Sequence, residues 1–177
     1  MKKFQFVKKF TLQVPNNYQH DTFLDSQGEI QETSEDVDVW NSWEVTDENF
    51  KKVSNRLVAG EVIEVTIFKI IGHEHAEKCI DFLIKENSLL LGAHGAALVL
   101  ILKKDELPEK SKCFSLDKRE CLYQEIRHNR PMDHFIPFIK REDSRFVFEV
   151  EEFDDRTVLG GKTWNEKEEY LFHFRKI

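Results

Sequence analysis

Seven histidines and three cysteines are the side chains of this 177-residue chain best suited to metal or nucleophilic chemistry, and one segment gathers several of them. In Gly72-His73-Glu74-His75-Ala76-Glu77-Lys78-Cys79, His75 and Cys79 stand four residues apart. On a helix they would share a face, where an imidazole and a thiolate can hold one ion, and His94 offers itself as a third ligand. Distance argues against such a site. The histidine pair begins the expected helix and His94 follows it, so a helix of about fifteen residues, about 22 Å long, separates the two ends. A zinc ligand sits only about 2 Å from its ion. Cys79 falls on the apolar stripe and reads as a small buried hydrophobe. No metal or other cofactor is expected.

The catalytic candidates that remain are His73, His75 and His134. His134 forms an acid/base pair with Asp133 near His128, and Asp154-Asp155 is a carboxylate pair. None comes with a partner motif, and such dipeptides arise by chance on solvated loops. Gly72, between a strand and a helix, is where backbone N–H groups can meet a phosphate. A single glycine is a weak signal, and neither a P-loop nor a G-x-G-x-x-G pattern is present. The reading therefore leans to a non-enzyme, with an enzyme of unassigned class, its histidines at one end of a sheet, as the alternative.

Charge is more informative than any motif. Residues 1–20 contain Lys2, Lys3, Lys8 and Lys9 and no acid; residues 21–50 contain ten acids and no base. Setting these aside from totals of 26 bases and 33 acids leaves 22 against 23, so the net charge of −7 is a local feature. The same stretch holds Trp40 and Trp43, two of three tryptophans. Buried aromatics anchor interfaces and a ring of like charge steers an opposite partner. Asp36, Asp38, Trp40 and Glu44 are the expected partner-binding residues, and the expected partner is another protein with a basic surface. Nucleic acid is not expected, because the only early Lys cluster has an acidic flank and the pI is near 5.5; those lysines read as protection of an edge strand.

The elements that must position these residues follow from periodicity. Phe4, Phe6, Phe10, Leu12 and Val14 alternate as one face of a strand, interrupted at Lys8. Residues 36–45 read as a second strand, with Val37, Val39, Trp43 and Val45 inward and Asp36, Asp38, Trp40, Ser42 and Glu44 outward. A short strand is expected near 29–31. Thr46-Asp47-Glu48 looks like a helix start, with Phe50, Val53, Leu57 and Val58 at helical spacing before Gly60. Residues 62–71 form an interior strand, 73–87 a helix with Ala76, Cys79, Ile80, Leu83 and Ile84 buried, and 96–102 another interior strand. This strand, helix, strand unit predicts a right-handed parallel crossover.

Further on, 113–116 and 121–126 suggest a hairpin, and Pro131 and Pro137 bracket at most a helical turn. Phe146, Phe148 and Val150, then Tyr170, Phe172 and Phe174, mark antiparallel strands joined through Gly160-Gly161.

The predicted fold is α+β: one domain over 1–177, a mixed β-sheet, two main helices and a central strand-helix-strand unit. Fifteen phenylalanines point to a core built on aromatic rings. The odd cysteine count suits reduced thiols in a cytoplasm. The longest apolar run, Leu89 to Leu102, is shorter than the roughly 20 residues of a membrane-spanning helix. The sum is a small cytoplasmic protein-binding protein of inhibitor, immunity-type or adaptor kind, with a homo-oligomer also compatible.

Overall fold

Alternating apolar residues at both ends of the chain meet in one sheet. The computed structural model describes residues 2–27, 39–125, 133–154, 157–160 and 168–177. Strand β1 (Phe4–Gln13) and the last strand, β10 (Glu168–Lys176), both pair antiparallel with β3 (Val62–Ile70). Beyond β10 come β5 (Ser111–Phe114), β7 (Asp133–Glu142), β8 (Arg145–Phe153) and β2 (Val39–Asn41). The β10–β5 and β2–β8 pairs are parallel and the others antiparallel, so the sheet is mixed. A short strand, β6 (Tyr123–Glu125), also pairs with β7. Apart from the sheet, β4 (Glu74–His75) pairs with β9 (Val158–Leu159).

Two helices cover opposite faces, α1 (Ala76–Lys85) and α2 (Gly92–Lys103). Along β10, Tyr170, Phe172 and Phe174 pack with α2 while Leu171 packs with α1, as side chains of an interior strand must alternate. The α+β class, the mixed sheet and two main helices are thus present. The strand-helix-strand unit is not: residues 96–102 lie within α2, and both neighbours of β3 run antiparallel to it. Every residue from Gly92 to Leu100 is buried, so no polar stripe marked this segment as helical.

The second expected helix, over 46–58, is a single turn. Thr46 Oγ1 accepts from Asn49 N–H (3.2 Å) and the Thr46 carbonyl from Phe50 N–H (3.1 Å), but no helix follows. Instead Ser54 and Asn55 bond to distant groups: Ser54 N–H to Asp117, and Asn55 to both backbone polar groups of Leu90. Side chains that bond to backbone elsewhere compete with local helix. The helix expected over 73–87 begins only at Ala76, because Glu74 and His75 pair with β9; its Ile84 is 49% exposed.

Strand β1 shifts register between Phe6 and Lys8. A bulge there inverts the faces. Phe4 stacks on Phe82 of α1 at 4.0 Å, whereas Phe10 and Leu12 join the cluster around α2, so the even-numbered residues do not share one face. The expected hairpin over 113–126 is replaced by β5 and β6 each pairing with β7. Pro137 lies inside β7 rather than at a helical turn; its carbonyl accepts from Ser115 N–H (3.1 Å) at the junction between β5 and β6, where a missing donor is tolerated. β8 and β10 are strands as expected, but they do not pair with each other. The strand expected near 29–31, Pro131 and Gly161 lie outside the described residues.

Gly95 shows how tightly α2 meets the sheet. A Cβ there would lie 2.7 Å from Phe174 Cζ and 2.8 Å from Leu91 Cβ. Ala normally exceeds Gly in a helix by up to about 1 kcal/mol, but overpacking a core costs about 1–3 kcal/mol. Phe174 is buried against Phe172, so the crowding term wins. Gly95→Ala is expected to lower stability by about 1–2 kcal/mol, read as a lower urea midpoint at unchanged m-value; a raised midpoint would contradict this packing.

Candidate functional site

The acidic stretch and the histidines part company in the structure. Asp36 and Asp38 lie outside the described residues, as does the side chain of Trp40, whose backbone pairs with Val147 in β2. Glu44 is half-buried and its carboxylate accepts from Ser42 Oγ at 2.9 Å. The inward and outward sides expected for 36–45 are partly inverted: Ser42 is 5% exposed, while Trp43, expected inward, is 74% exposed on a turn. The strand ends at Asn41, which is why the alternation fails beyond it.

His73 and His75 are exposed, beside and within β4. His134 is half-buried in β7, opposite Phe153, and hydrogen-bonded to Gln124 at 2.8 Å. The structure therefore sets His73 and His75 at β4 and His134 on β7, and does not gather the three into a site. His128 and Asp155, and the side chain of Asp133, lie outside the described residues. Cys79 is fully buried, and burial, with Glu74 and Glu169 adding to it, pushes its thiol up to about 12, as a core cysteine requires. Among the described residues no group of three or more His, Cys, Asp or Glu side chains could hold a metal ion.

A different pair does meet. The imidazoles of His20 and His94 stack face to face, centroids 3.9 Å apart and planes 11° from parallel. His94 comes from the first turn of α2, and His20 from a 3-10 turn (His20–Thr22) that leads into helical residues 23–27. His94 Nε2 lies 3.0 Å from the carbonyl oxygen of His20. A carbonyl can only accept, so Nε2 carries the hydrogen and the neutral ring keeps its lone pair on Nδ1. His20 Nδ1 is hydrogen-bonded to Tyr18 Oη at 2.9 Å. His20 is 8% exposed and His94 1%, and His20 Nε2 and His94 Nδ1 find no hydrogen-bond partner among the described residues.

Asp47 fixes the geometry around them. Its carboxylate accepts from Leu24 N–H (3.1 Å) and Asp25 N–H (3.0 Å), supplying acceptors for the exposed donors of helical residues 23–27, while Asp25 Oδ1 returns a bond to Asp47 N–H (3.2 Å). His94 Nε2 stands 3.8 Å from Asp47 Oδ1. Burial pulls the Asp47 pKa upward, but the His94 imidazole and the two N–H donors outweigh it and hold the carboxyl below its usual range. Burial, then the neighbouring His94 and Arg56, push His20 down to about 4. Burial raises the Tyr18 phenol, with Asp47 adding to it, so it keeps its proton at neutral pH.

These residues border an open cleft of about 330 Å³ lined by His20, Asp21, Asp25, Asp47, Glu48, Lys51 and His94. Arg56 pairs with Asp21, and Lys51 with Glu48 at 2.8 Å. Four acids of the stretch 21–50 thus converge on one cleft. The one sequence signal for it was a histidine inside an apolar run, which demands a partner when buried; nothing in sequence named His20, seventy-four residues away.

No protein-family model, no curated protein and no solved structure matches this chain. The site is read from its geometry.

On the other side of the α2 N-terminus, Asp117 is buried and accepts from Ser54 N–H (3.1 Å), Lys118 N–H (2.7 Å) and Ser54 Oγ. Burial pushes its carboxyl up to about 6 against those donors. The folded state therefore binds its proton more tightly than the unfolded chain, and the stability it contributes is lost as pH rises through about 4 to 6. Asp117→Asn cannot titrate. Relative to that variant, the wild-type chain is expected to lose about 2–3 kcal/mol between pH 4 and 7, measured by urea unfolding of both proteins at each pH. The His20 contribution has the opposite sign but is present in both chains and cancels in the difference. A difference that stays flat with pH would refute this assignment.

Proposed function

We propose that this chain is a small protein-binding protein, of inhibitor, immunity-type or adaptor kind, that captures a partner with a basic surface through its acidic, tryptophan-bearing stretch. The observation that carries the reading is Trp43, whose indole is 74% exposed on a turn. Leaving so large an apolar ring in water is unfavourable, and covering it would contribute about 1.5–3 kcal/mol to binding. Glu44, within that turn, and Glu48 follow Trp43 in sequence, and the Glu48 side chain is 80% exposed. Like charge around an aromatic anchor raises the on-rate of a cationic partner and discourages others. Asp36, Asp38 and Trp40 belong to the proposal through their place in the same stretch.

The three cysteines are free, which agrees with the cytoplasm as the proposed compartment. No described helix is long and apolar enough to cross a membrane. Neither nucleic acid nor a membrane is part of the proposed function, and residues 1–177 act in it as one domain.

The alternative, an enzyme with a histidine-containing site, draws on His20 and His94 rather than on His73, His75 and His134. An imidazole with a fixed tautomer beside a carboxylate is the arrangement of a positioned base. The residues lining that cleft include no hydroxyl or thiol side chain, so a base there would act on water or on a bound ligand.

Immobilised wild-type chain is expected to retain a cationic protein from its native lysate at low salt. Trp43→Ala and the double variant Glu44→Lys, Glu48→Lys should each reduce that retention at least tenfold, with unchanged circular dichroism. Equal retention by folded wild-type and variant chains would end the proposal.

A further inference from the structure

The buried imidazole pair has no role in the protein-binding reading, and its geometry is costly unless both rings stay neutral. Two parallel rings 3.9 Å apart cannot both carry charge without placing like charges within contact distance in a poorly solvated site. A ring protonated on both nitrogens also carries an N–H at an atom, His20 Nε2 or His94 Nδ1, that has no acceptor among the described residues and is buried from water. A buried donor left unpaired loses its hydration without compensation.

The rings nevertheless hold something together. The His94 bond to the His20 carbonyl and the Asp47 bonds to Leu24 and Asp25 are three of the polar ties between residues 18–27 and the rest of the fold. We infer that the stacked His20–His94 pair is an acid-sensitive latch, which releases residues 18–27 from α2 when it is protonated and so opens the cleft between them.

The charged surroundings decide the direction. From residues 18–27, Tyr18, Asp21 and Asp25 approach the pair; from 46–56, Asp47, Glu48, Lys51 and Arg56; from α2, His94 itself. Asp21 would favour a charged His20, but Arg56 is bound to Asp21 and opposes it. Asp47 would favour a charged ring, but its oxygens are already engaged by two backbone donors. Burial and the neighbouring ring dominate, so His20 takes up its proton on release. With the folded value near 4 and the free value at 6.5, the unfolded segment binds more protons throughout that interval. The latch is therefore fully engaged above about 6.5 and weakens as pH falls toward 4. Asp47, held below the ordinary carboxylate range, keeps its charge over most of that window, so loss of the Leu24 and Asp25 bonds there is not an effect of carboxylate protonation. The inference stands independently of the protein-binding reading.

The test is a pH titration of the full chain followed by NMR, reading the histidine ring carbons and the exchange protection of backbone amides. Between pH 6.5 and 4.5 the amides of Leu24 and Asp25 are expected to lose at least tenfold in protection, in step with titration of the His20 ring. Amides of β3 and β10 should stay protected. In His20→Gln, which keeps a polar partner for Tyr18 and cannot charge, the protection of residues 18–27 should no longer change across that interval. Should that variant fold poorly, the wild-type ring signals decide alone: the latch requires the His20 ring to titrate together with the amide loss. Residues 18–27 that remain protected to pH 4 around an intact sheet, or a His20→Gln chain that opens as the wild type does, would overturn it.

Discussion

The burial of α2 from Gly92 to Leu100 is the constraint on which the rest of this fold depends. One side of that helix packs on the sheet through Phe172, Phe174 and Ile139, and the other must be covered by Tyr18, Phe23, Leu24, Val45, Phe50 and Leu57. The covering residues come from two stretches outside the sheet, 14–27, where loop leads into a 3-10 turn and helical residues 23–27, and 42–58, which is turns and loop. Irregular chain laid over a core has backbone groups that no ladder satisfies, and each one left bare would cost about 1–3 kcal/mol. The side chains of Asp25, Asp47, Asn55, His94 and Asp117 meet those groups. A polar network at the α2 N-terminus is thus the consequence of an apolar helix buried from Gly92 to Leu100.

The same circumstance explains what the sequence could and could not disclose. β1, β8, β10 and α1 were legible because each presents a period, two residues on the strands and an apolar stripe on the helix, and β3 because it is a run of β-branched residues apolar on both faces. α2 presents none, since a helix buried all round has no polar face, and a short apolar run reads equally well as an interior strand. The β1 bulge hid in the same way. Even spacing of Phe4, Phe6, Phe10 and Leu12 implies one face only if the register is unbroken, and one extra residue moves the first pair to the far side. Thr46 and Asp47 carry a helix-start signature, but Asp47 spends its oxygens on another segment's donors, twenty-two and twenty-three residues earlier.

Reading chemistry from neighbouring residues failed for a related reason. His73, His75 and Cys79 are close in sequence and drew attention as a site, yet two are solvated and the third is core. His20 and His94 are far apart in sequence and are brought into contact only by the layer over α2. Asp21, Asp25, Asp47 and Glu48 line one cleft, and the described part of the strand expected to carry the acids is Val39–Asn41.

That convergence also separates acids with a structural task from acids free to meet a partner. Asp25 and Asp47 cap each other's segments with their carboxylates, and Asp21 is tied to Arg56, so a cation arriving at these groups would compete with bonds the fold already uses. Glu48 is different. Its described contact is a surface pair with Lys51, and exposed pairs of that kind contribute at most about 1 kcal/mol, a bond easily exchanged for a better one. Trp43 completes the contrast, because its indole is largely in water while Ser42 beside it is buried. In the proposed function recognition therefore falls to the turn that carries Trp43, with Glu44 and Glu48 close in sequence, while the cleft lined by Asp25, Asp47 and His94 is the polar fastening of the layer over α2.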